Sequence, residues 1–369
     1  MQRNQSIDTV RGALLLIMTI NHFIWITVGW ANIQYFTLQP FGQVGAAEGF
    51  IFISGLMVGL IYTGSDITLN QTKLFSRAKQ LYCYHMGAIL MVLIICSLYI
   101  AFVPATQDFY GGLFPWLLSD KLMALITSIP MLHKPAYFDI LPMYVAFLAM
   151  APLVIHQLKK ARMVWVIVLS LLIWQSSRYI DLASMLNPFF SEGTLNTGYF
   201  SWLAWQLLFV AGLCLGFTAR HKPINWFKYR AVTILVVIAA LIIFILNRNI
   251  FAQYGIHQGT LYQIADKPLL GWLRVFNLLL LVYLFAFVIK HWPRLLTFKP
   301  LALLGRHSLH VFAWHYVVVF AIAPLVLGFF NFQLSITVGV IITTLLLFIP
   351  PLYREKNQAT KLTSKPSHS

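Results

Sequence analysis

Residues 8–31 read DTVRGALLLIMTINHFIWITVGWA, an apolar run with Arg11 near its start and His22 at its middle. A run of this kind suits a membrane-spanning helix, which needs about 20 apolar residues. Ionisable side chains in such a span are costly, face protein or a water-filled cavity, and mark a functional site by default. On an α-helix the steps from Arg11 to His22 turn through about 1100°, roughly 20° past three full circles, and rise about 16 Å. The two side chains therefore share one face at different depths, on a stripe that runs Asp8, Arg11, Leu15, Met18, His22.

The rest of the chain repeats the pattern of that first run. Of 369 residues 59% are hydrophobic and 10% charged, with a mean hydropathy of +0.77, far too apolar for an ordinary soluble domain. Runs long enough to span a bilayer fall near 12–31, 44–63, 81–103, 138–157, 163–180, 200–219, 231–247, 269–289, 307–326 and 334–352. The expected fold is an all-α integral membrane protein of about ten transmembrane helices in one bundle, residues 1–353, with a short, basic, disordered cytoplasmic tail from 354 to 369. A further apolar stretch, 113–132, is broken by Asp120 and Lys121 and ended by Pro130, which reads as an interfacial or re-entrant helix.

A formal charge of +16 could point to nucleic acid, so its placement decides the matter. Twenty of the 26 Lys and Arg fall at the N-terminus, in alternate connections and in the tail, while Lys121, Lys134, Arg178, Arg248, Lys267 and Arg274 lie on the other side. This alternation is the positive-inside pattern with both termini cytoplasmic, and the basic surplus reads as topology rather than nucleic-acid binding. Cys83, Cys96 and Cys214 all fall in or beside predicted spans, where they read as buried thiols and not a disulfide framework.

Four constellations could carry chemistry. In the second span Gly45, Glu48, Phe52, Gly55 and Gly59 share one helix face, so a carboxylate stands among small residues that admit a neighbouring backbone. Glu48 could raise the basicity of a nearby imidazole such as His22 or hold helices together as an ion pair. Near the start of the third span Arg77, Lys79, Tyr82 and His85 form, with Arg11 and Arg306, a basic mouth suited to phosphate. In the ninth span Ser308 and His315 share a face beside Arg306, His307 and His310, and no HExxH or Cys/His spacing makes a metal site of these histidines. At the outer ends Asp139, Tyr144, Trp202, Trp205, Gln206, Arg274 and Asn277 offer hydrogen bonds and stacking to a hydroxyl-rich acceptor, unless Asp139 and Arg274 simply pair with each other. The connection 104–137, with Tyr110, Trp116 and His133, could cover such a site. No GxSxG elbow, Walker loop or GxGxxG turn is present.

The spacing Arg11-x(10)-His22 resembles the signature of the acyltransferase-3 superfamily of integral-membrane acyltransferases. The run from Gly45 to Gly55, the segment Asp139-Ile-Leu-Pro-Met-Tyr144, Trp205-Gln206, and Leu304-Gly-Arg-His-Ser308 through His315 resemble its OpgC-type branch, named for succinyl transfer to osmoregulated periplasmic glucans. The resemblance implies a catalytic His22 and an acyl-donor end at Arg11, and the placement of Glu48 on the second span makes it the residue expected to tune His22. The expected enzyme is a multi-pass protein of the bacterial inner membrane that moves a succinyl or acetyl group from cytoplasmic acyl-CoA to a hydroxyl of a periplasmic glycan. Acyl-CoA is then a co-substrate and no cofactor is needed. Arg11, Arg77, His85, Arg306 and Ser308 are expected to bind the donor, and Asp139, Tyr144, Trp205, Gln206, Arg274 and His315 to bind the acceptor or line a tunnel. Direct general-base transfer and an acyl-histidine intermediate both remain open. Membrane lipids and a second copy of the chain are the other expected partners. The rival reading is a proton-coupled glycan exporter in which His22 and Glu48 relay protons.

Overall fold

The computed structural model describes residues 4–64, 66–114, 116–181, 185, 188, 196–255 and 257–363. It is all-helical, with no strand among the described residues. The α-helices are α1 Gln5–Thr27, α2 Gln34–Thr37, α3 Ala46–Tyr62, α4 Ile67–Phe102, α5 Gln107–Leu113, α6 Lys121–Ser128, α7 Ile140–Lys159 and α8 Met163–Ser176. After these come α9 Trp202–His221, α10 Arg230–Asn247, α11 Gln258–Tyr262, α12 Trp272–His291, α13 Lys299–Arg306, α14 Ser308–Val326, α15 Ile336–Leu346 and α16 Ile349–Thr363. Among the described residues eight stretches are long and apolar enough to cross a membrane, and the shorter apolar helices α3 and α8 fall on the two remaining predicted spans. On α10, Leu235, Ile238, Leu241 and Ile242 are exposed, an apolar surface that suits lipid better than water.

Local sequence sets the helix ends. Asn4 caps α1 by accepting the Ser6 N–H at 2.9 Å, and Asp8 places a negative charge in the first turn. At the other end Gly29, at φ +75°, takes the left-handed turn that lets its N–H reach the Ile24 carbonyl at 2.8 Å. Ser201 and Ser335 cap α9 and α15 in the same manner as Asn4. Asp120, which interrupts the apolar stretch 113–132, is the N-cap of α6 and accepts the Met123 N–H at 2.9 Å.

Two boundaries differ from the sequence expectation. Helix α4 begins at Ile67, well before the apolar run at 81, because residues 67–86 contain neither Gly nor Pro and nothing stops the helix propagating through its polar end. Its 36 residues extend about 54 Å, more than a hydrocarbon core of about 30 Å requires. The tail expected to be disordered is helical as far as Thr363: Pro350 and Pro351 sit in the first turn of α16, where they are tolerated, and the Glu, Lys, Gln and Ala that follow are good helix formers.

The described residues group into two compact units. The first is drawn from Met1–Thr37, Gly87–Tyr110 and Pro293–Ser369, the second from Leu38–Met86 and Gly111–Trp292, so α4 contributes to both. In the first unit α1 packs on α2, α13, α14 and α15 around a core that includes Phe23, Ile24, Phe312 and Phe320. The backbones of α1 and α13 touch: a Cβ added to Gly12 would lie 1.8 Å from the Leu301 carbonyl oxygen, and one added to Gly305 would lie 1.8 Å from that of Asp8.

In the second unit α3 and α9 form the closest pair. Gly55 and Gly59 face Phe209 and Leu213, while Gly212 and Gly216 face Phe52 and Leu56, so the two helices run parallel with small residues four apart on both. Helix α9 also packs on α7 and α8, and α10 packs on α12.

Candidate functional site

The glycine contact between α1 and α13 sets the course of the next segment of the chain. With Gly305 pressed against the start of α1, the turn from Arg306 to Ser308 is brought beside Arg11, and α14 leaves it alongside α1. Arg11 then donates from Nη2 to Ser308 Oγ at 2.6 Å, and His22 Nδ1 meets His315 Nε2 at 3.2 Å. These two rungs join parallel helices. Eleven residues on α1 rise about 16 Å and seven on α14 about 10 Å, and the long arginine stem spans the difference of about 6 Å. Leu15 and Met18, on the stripe between the rungs, are buried, whereas Arg11 and His22 are half-buried.

Within the upper rung His315 is 2% exposed, and its Nδ1 donates to the Phe312 carbonyl. The rings of His22 and His315 are 5.4 Å apart and inclined at 35°. Asn21 fixes the same level of α1 from the other side, donating to the Thr37 carbonyl at 2.9 Å and accepting from Thr37 Oγ1 at 2.7 Å. Below the lower rung a cleft of about 730 Å³ opens, lined by Gln5, Asp8, Lys299, Ala302, Arg306, Phe348 and Glu355. Arg306 donates to Glu355 Oε1 at 2.6 Å, with both side chains partly exposed, and His307 Nε2 lies 3.6 Å from the same oxygen.

The first unit thus gathers Arg11, His22, Ser308 and His315 along the α1–α14 pair, with Arg306 at the end of α13 beside them. Other expected site residues lie in the second unit with partners of their own. Glu48 is fully buried, accepting from Arg274 Nη1 at 2.7 Å through one oxygen and from the Gly45 N–H at 3.1 Å through the other. Arg274, also fully buried, donates in addition to the Gln43 carbonyl and twice to the Ala265 carbonyl, at 3.1 and 2.8 Å. Where the sequence offers Glu48 as the tuning partner of His22, the structure gives the carboxylate to a guanidinium and gives His22 a second imidazole. It also replaces an Asp139–Arg274 pair with Glu48–Arg274: Asp139 instead accepts the Tyr199 N–H at 2.9 Å.

The residues expected to meet an acceptor hydroxyl mostly stitch helices together. Gln206 donates to the Ser170 carbonyl at 2.8 Å and accepts from Ser170 Oγ at 2.7 Å, so its amide ties α9 to α8. Trp205 is fully buried, and its indole N–H points at the Lys267 and Pro268 carbonyls, both at 3.2 Å, ahead of α12. Tyr144 packs its ring against Phe209. Arg77, on an exposed part of α4, donates to Gln80 Oε1 at 2.6 Å. His85 lies two turns further along the same helix, fully buried and edge-on to Phe138, so it is separated from the Arg77 cluster to which the sequence assigns it.

Four residues important to these sites carry no local signal in the sequence. Gln43 supplies a carbonyl to Arg274 and donates its N–H to Asn277 Oδ1 at 2.7 Å. Lys267 lies near Glu48 in the loop before α12, where burial pushes its ammonium down and Glu48 pulls it back. Lys134, buried in the loop before α7 with its Nζ 4.6 Å from the Trp202 ring centre, is pushed down to about 8 by burial, with Asp139 opposing. Glu355 reaches Arg306 from the segment expected to be a disordered tail.

A search of curated proteins and a search of solved structures each return no match. A family profile described as OpgC protein aligns with residues 3–358, nearly the whole chain and every helix that builds the two rungs between α1 and α14. On that coverage, this multi-pass membrane chain belongs to the OpgC protein family.

Proposed function

We propose that this protein is a membrane O-acyltransferase that moves an acyl group, succinyl or acetyl, from acyl-CoA to a hydroxyl of a periplasmic glycan in the bacterial inner membrane, with His22 as general base. The observation that carries the reading is the paired rung system on α1 and α14: a guanidinium held by Ser308 at one level, and an imidazole held by His315 about three turns along α1. Membership of the OpgC family supports glycan acylation as the chemistry. The cleft at the foot of α1 offers an anionic donor Lys299 and Arg306, with Arg11 above them, although Asp8 and Glu355 line it too and Arg306 is paired with Glu355. Arg306 exchanges Glu355 for a donor phosphate on binding.

In this reaction the acceptor oxygen forms a bond to the thioester carbonyl carbon while His22 takes the hydroxyl proton. The carbon–sulfur bond then breaks, and the proton passes from His22 to the leaving thiolate. The products are the glycan ester and free CoA thiol. A positioned general base of this kind contributes about 10²–10⁴-fold to the rate.

The test supplies purified protein in detergent with acyl-CoA and a glucan acceptor and measures free CoA. His22→Ala is expected to lose about 10²-fold or more in kcat while keeping its unfolding temperature. Wild-type turnover in that folded variant overturns the assignment. Acyl transfer with no ion gradient present also separates the enzyme from the proton-coupled exporter.

A further inference from the structure

We infer that His315 is the positioning residue that fixes the tautomer of His22, holding its proton on Nδ1 and its lone pair on Nε2. The inference rests on the His22 reading above for its catalytic meaning, but the tautomer itself is set by three groups in a row. The first is the Phe312 carbonyl, which has no proton to give; His315 Nδ1 faces it and must therefore be the N–H. A neutral imidazole carries one proton, so the Nε2 of His315 is then an acceptor. His22 Nδ1 lies 3.2 Å from that acceptor and must in turn be an N–H. By the same rule the lone pair of neutral His22 is on Nε2.

This arrangement goes against the solution preference of free imidazole side chains, which favour the proton on Nε2. It also remains intact through the reaction. When His22 takes a proton on Nε2, its Nδ1–H still points at the same neutral acceptor, and a hydrogen bond from a charged donor is stronger than one from a neutral donor. The division of labour parallels the orienting carboxylate of a Ser-His-Asp triad, with an uncharged imidazole and a main-chain carbonyl in its place. An uncharged partner suits the site, because His315 is buried and a carboxylate there would be an unpaired buried charge whenever His22 is neutral.

Three variants separate orientation from packing. His315→Phe keeps an aromatic ring and removes the acceptor, His315→Gln keeps an acceptor oxygen on a side chain of similar reach, and His22→Gln identifies the His22 resonances by their loss. Protein labelled with ¹⁵N-histidine in nanodiscs at pH 8 is read by ¹⁵N NMR. The expected result is a protonated Nδ1 and an unprotonated Nε2 for His22 in the wild type, shifting towards a protonated Nε2 in His315→Phe. In the CoA-release assay His315→Phe is expected to lower kcat about 10²-fold with the KM for acyl-CoA changed less than about threefold, and His315→Gln to regain most of that loss. A His22 protonated on Nε2 in the wild type overturns the inference, as does a folded His315→Phe protein whose His22 tautomer is unchanged. The spectra need no turnover, so they judge the tautomer even if His22→Ala leaves the activity intact and the base assignment falls.

Discussion

At the scale of single residues, the structure separates two ionisable groups that the sequence presents as equals. His22 is half-buried and meets a second imidazole, whereas Glu48 is fully buried and bound to an equally buried Arg274. Removing one member of a buried pair strands the other charge and costs about 3–5 kcal/mol, while removing both can be nearly neutral. Glu48→Gln is therefore expected to lower the unfolding temperature sharply in detergent, and Arg274→Met to do the same. The double variant Glu48→Gln/Arg274→Met should recover part of the loss, and the double-mutant cycle should show strong coupling. A Glu48→Gln protein that unfolds like the wild type yet has lost acyl transfer would return Glu48 to the chemistry. Arg11 calls for a different measurement. Its Nη2 is held by Ser308 next to the cleft, so Arg11→Ala should raise the apparent Kd for CoA about tenfold or more, the usual worth of a charge-assisted contact, with a smaller effect on the chemical step.

At the scale of helices, the features that could be read from the sequence are those that helical geometry alone dictates. The shared face of Arg11 and His22, that of Ser308 and His315, and the glycine stripe of α3 all come from 3.6 residues per turn, and each is found where the period puts it. The partners were not legible in the same way. Arg274 lies 226 residues from Glu48, and Ser170 lies 36 from Gln206, so no local period encodes either contact. Helix ends escaped for another reason: hydropathy marks the part of a helix that suits lipid, while α4 and α16 continue for as long as the backbone meets no breaker. Close helix contacts yield a paired test. An added methyl at Gly305 would press on the Asp8 carbonyl and drive α13 off α1, carrying Ser308 away from Arg11. Gly305→Ala is expected to cost about 1–3 kcal/mol or more and to weaken CoA binding. Gly87, on α4, has nothing within 4 Å of an added Cβ, so Gly87→Ala should be neutral or gain up to about 1 kcal/mol from lower backbone entropy in the unfolded chain. Thermal unfolding of the two variants side by side in detergent checks both signs.

At the scale of the whole molecule, the proposed reaction requires a donor on one side of the membrane and an acceptor on the other, and charge placement argues for that geometry. The connections expected inside hold most of the Lys and Arg, among them Lys159 at the end of α7 and Lys160 and Arg162 between α7 and α8, while the connection between α10 and α12 is sparse in them. Moving these segments to the opposite side would put the larger cationic load across the bilayer, which insertion disfavours. Labelling in intact cells tests the assignment directly. With Cys83, Cys96 and Cys214 replaced, a cysteine is introduced at the exposed position Lys160 in one protein and at exposed Gln253 in another, and each is treated with a membrane-impermeant maleimide after the outer membrane is permeabilised. Gln253→Cys is expected to label at once, and Lys160→Cys only after the inner membrane is opened. The reverse order would invert the orientation expected from charge placement along the chain, cytoplasmic N-terminus included, and the proposed direction of transfer from cytoplasmic acyl-CoA would then be wrong even if His22 proved to be the base.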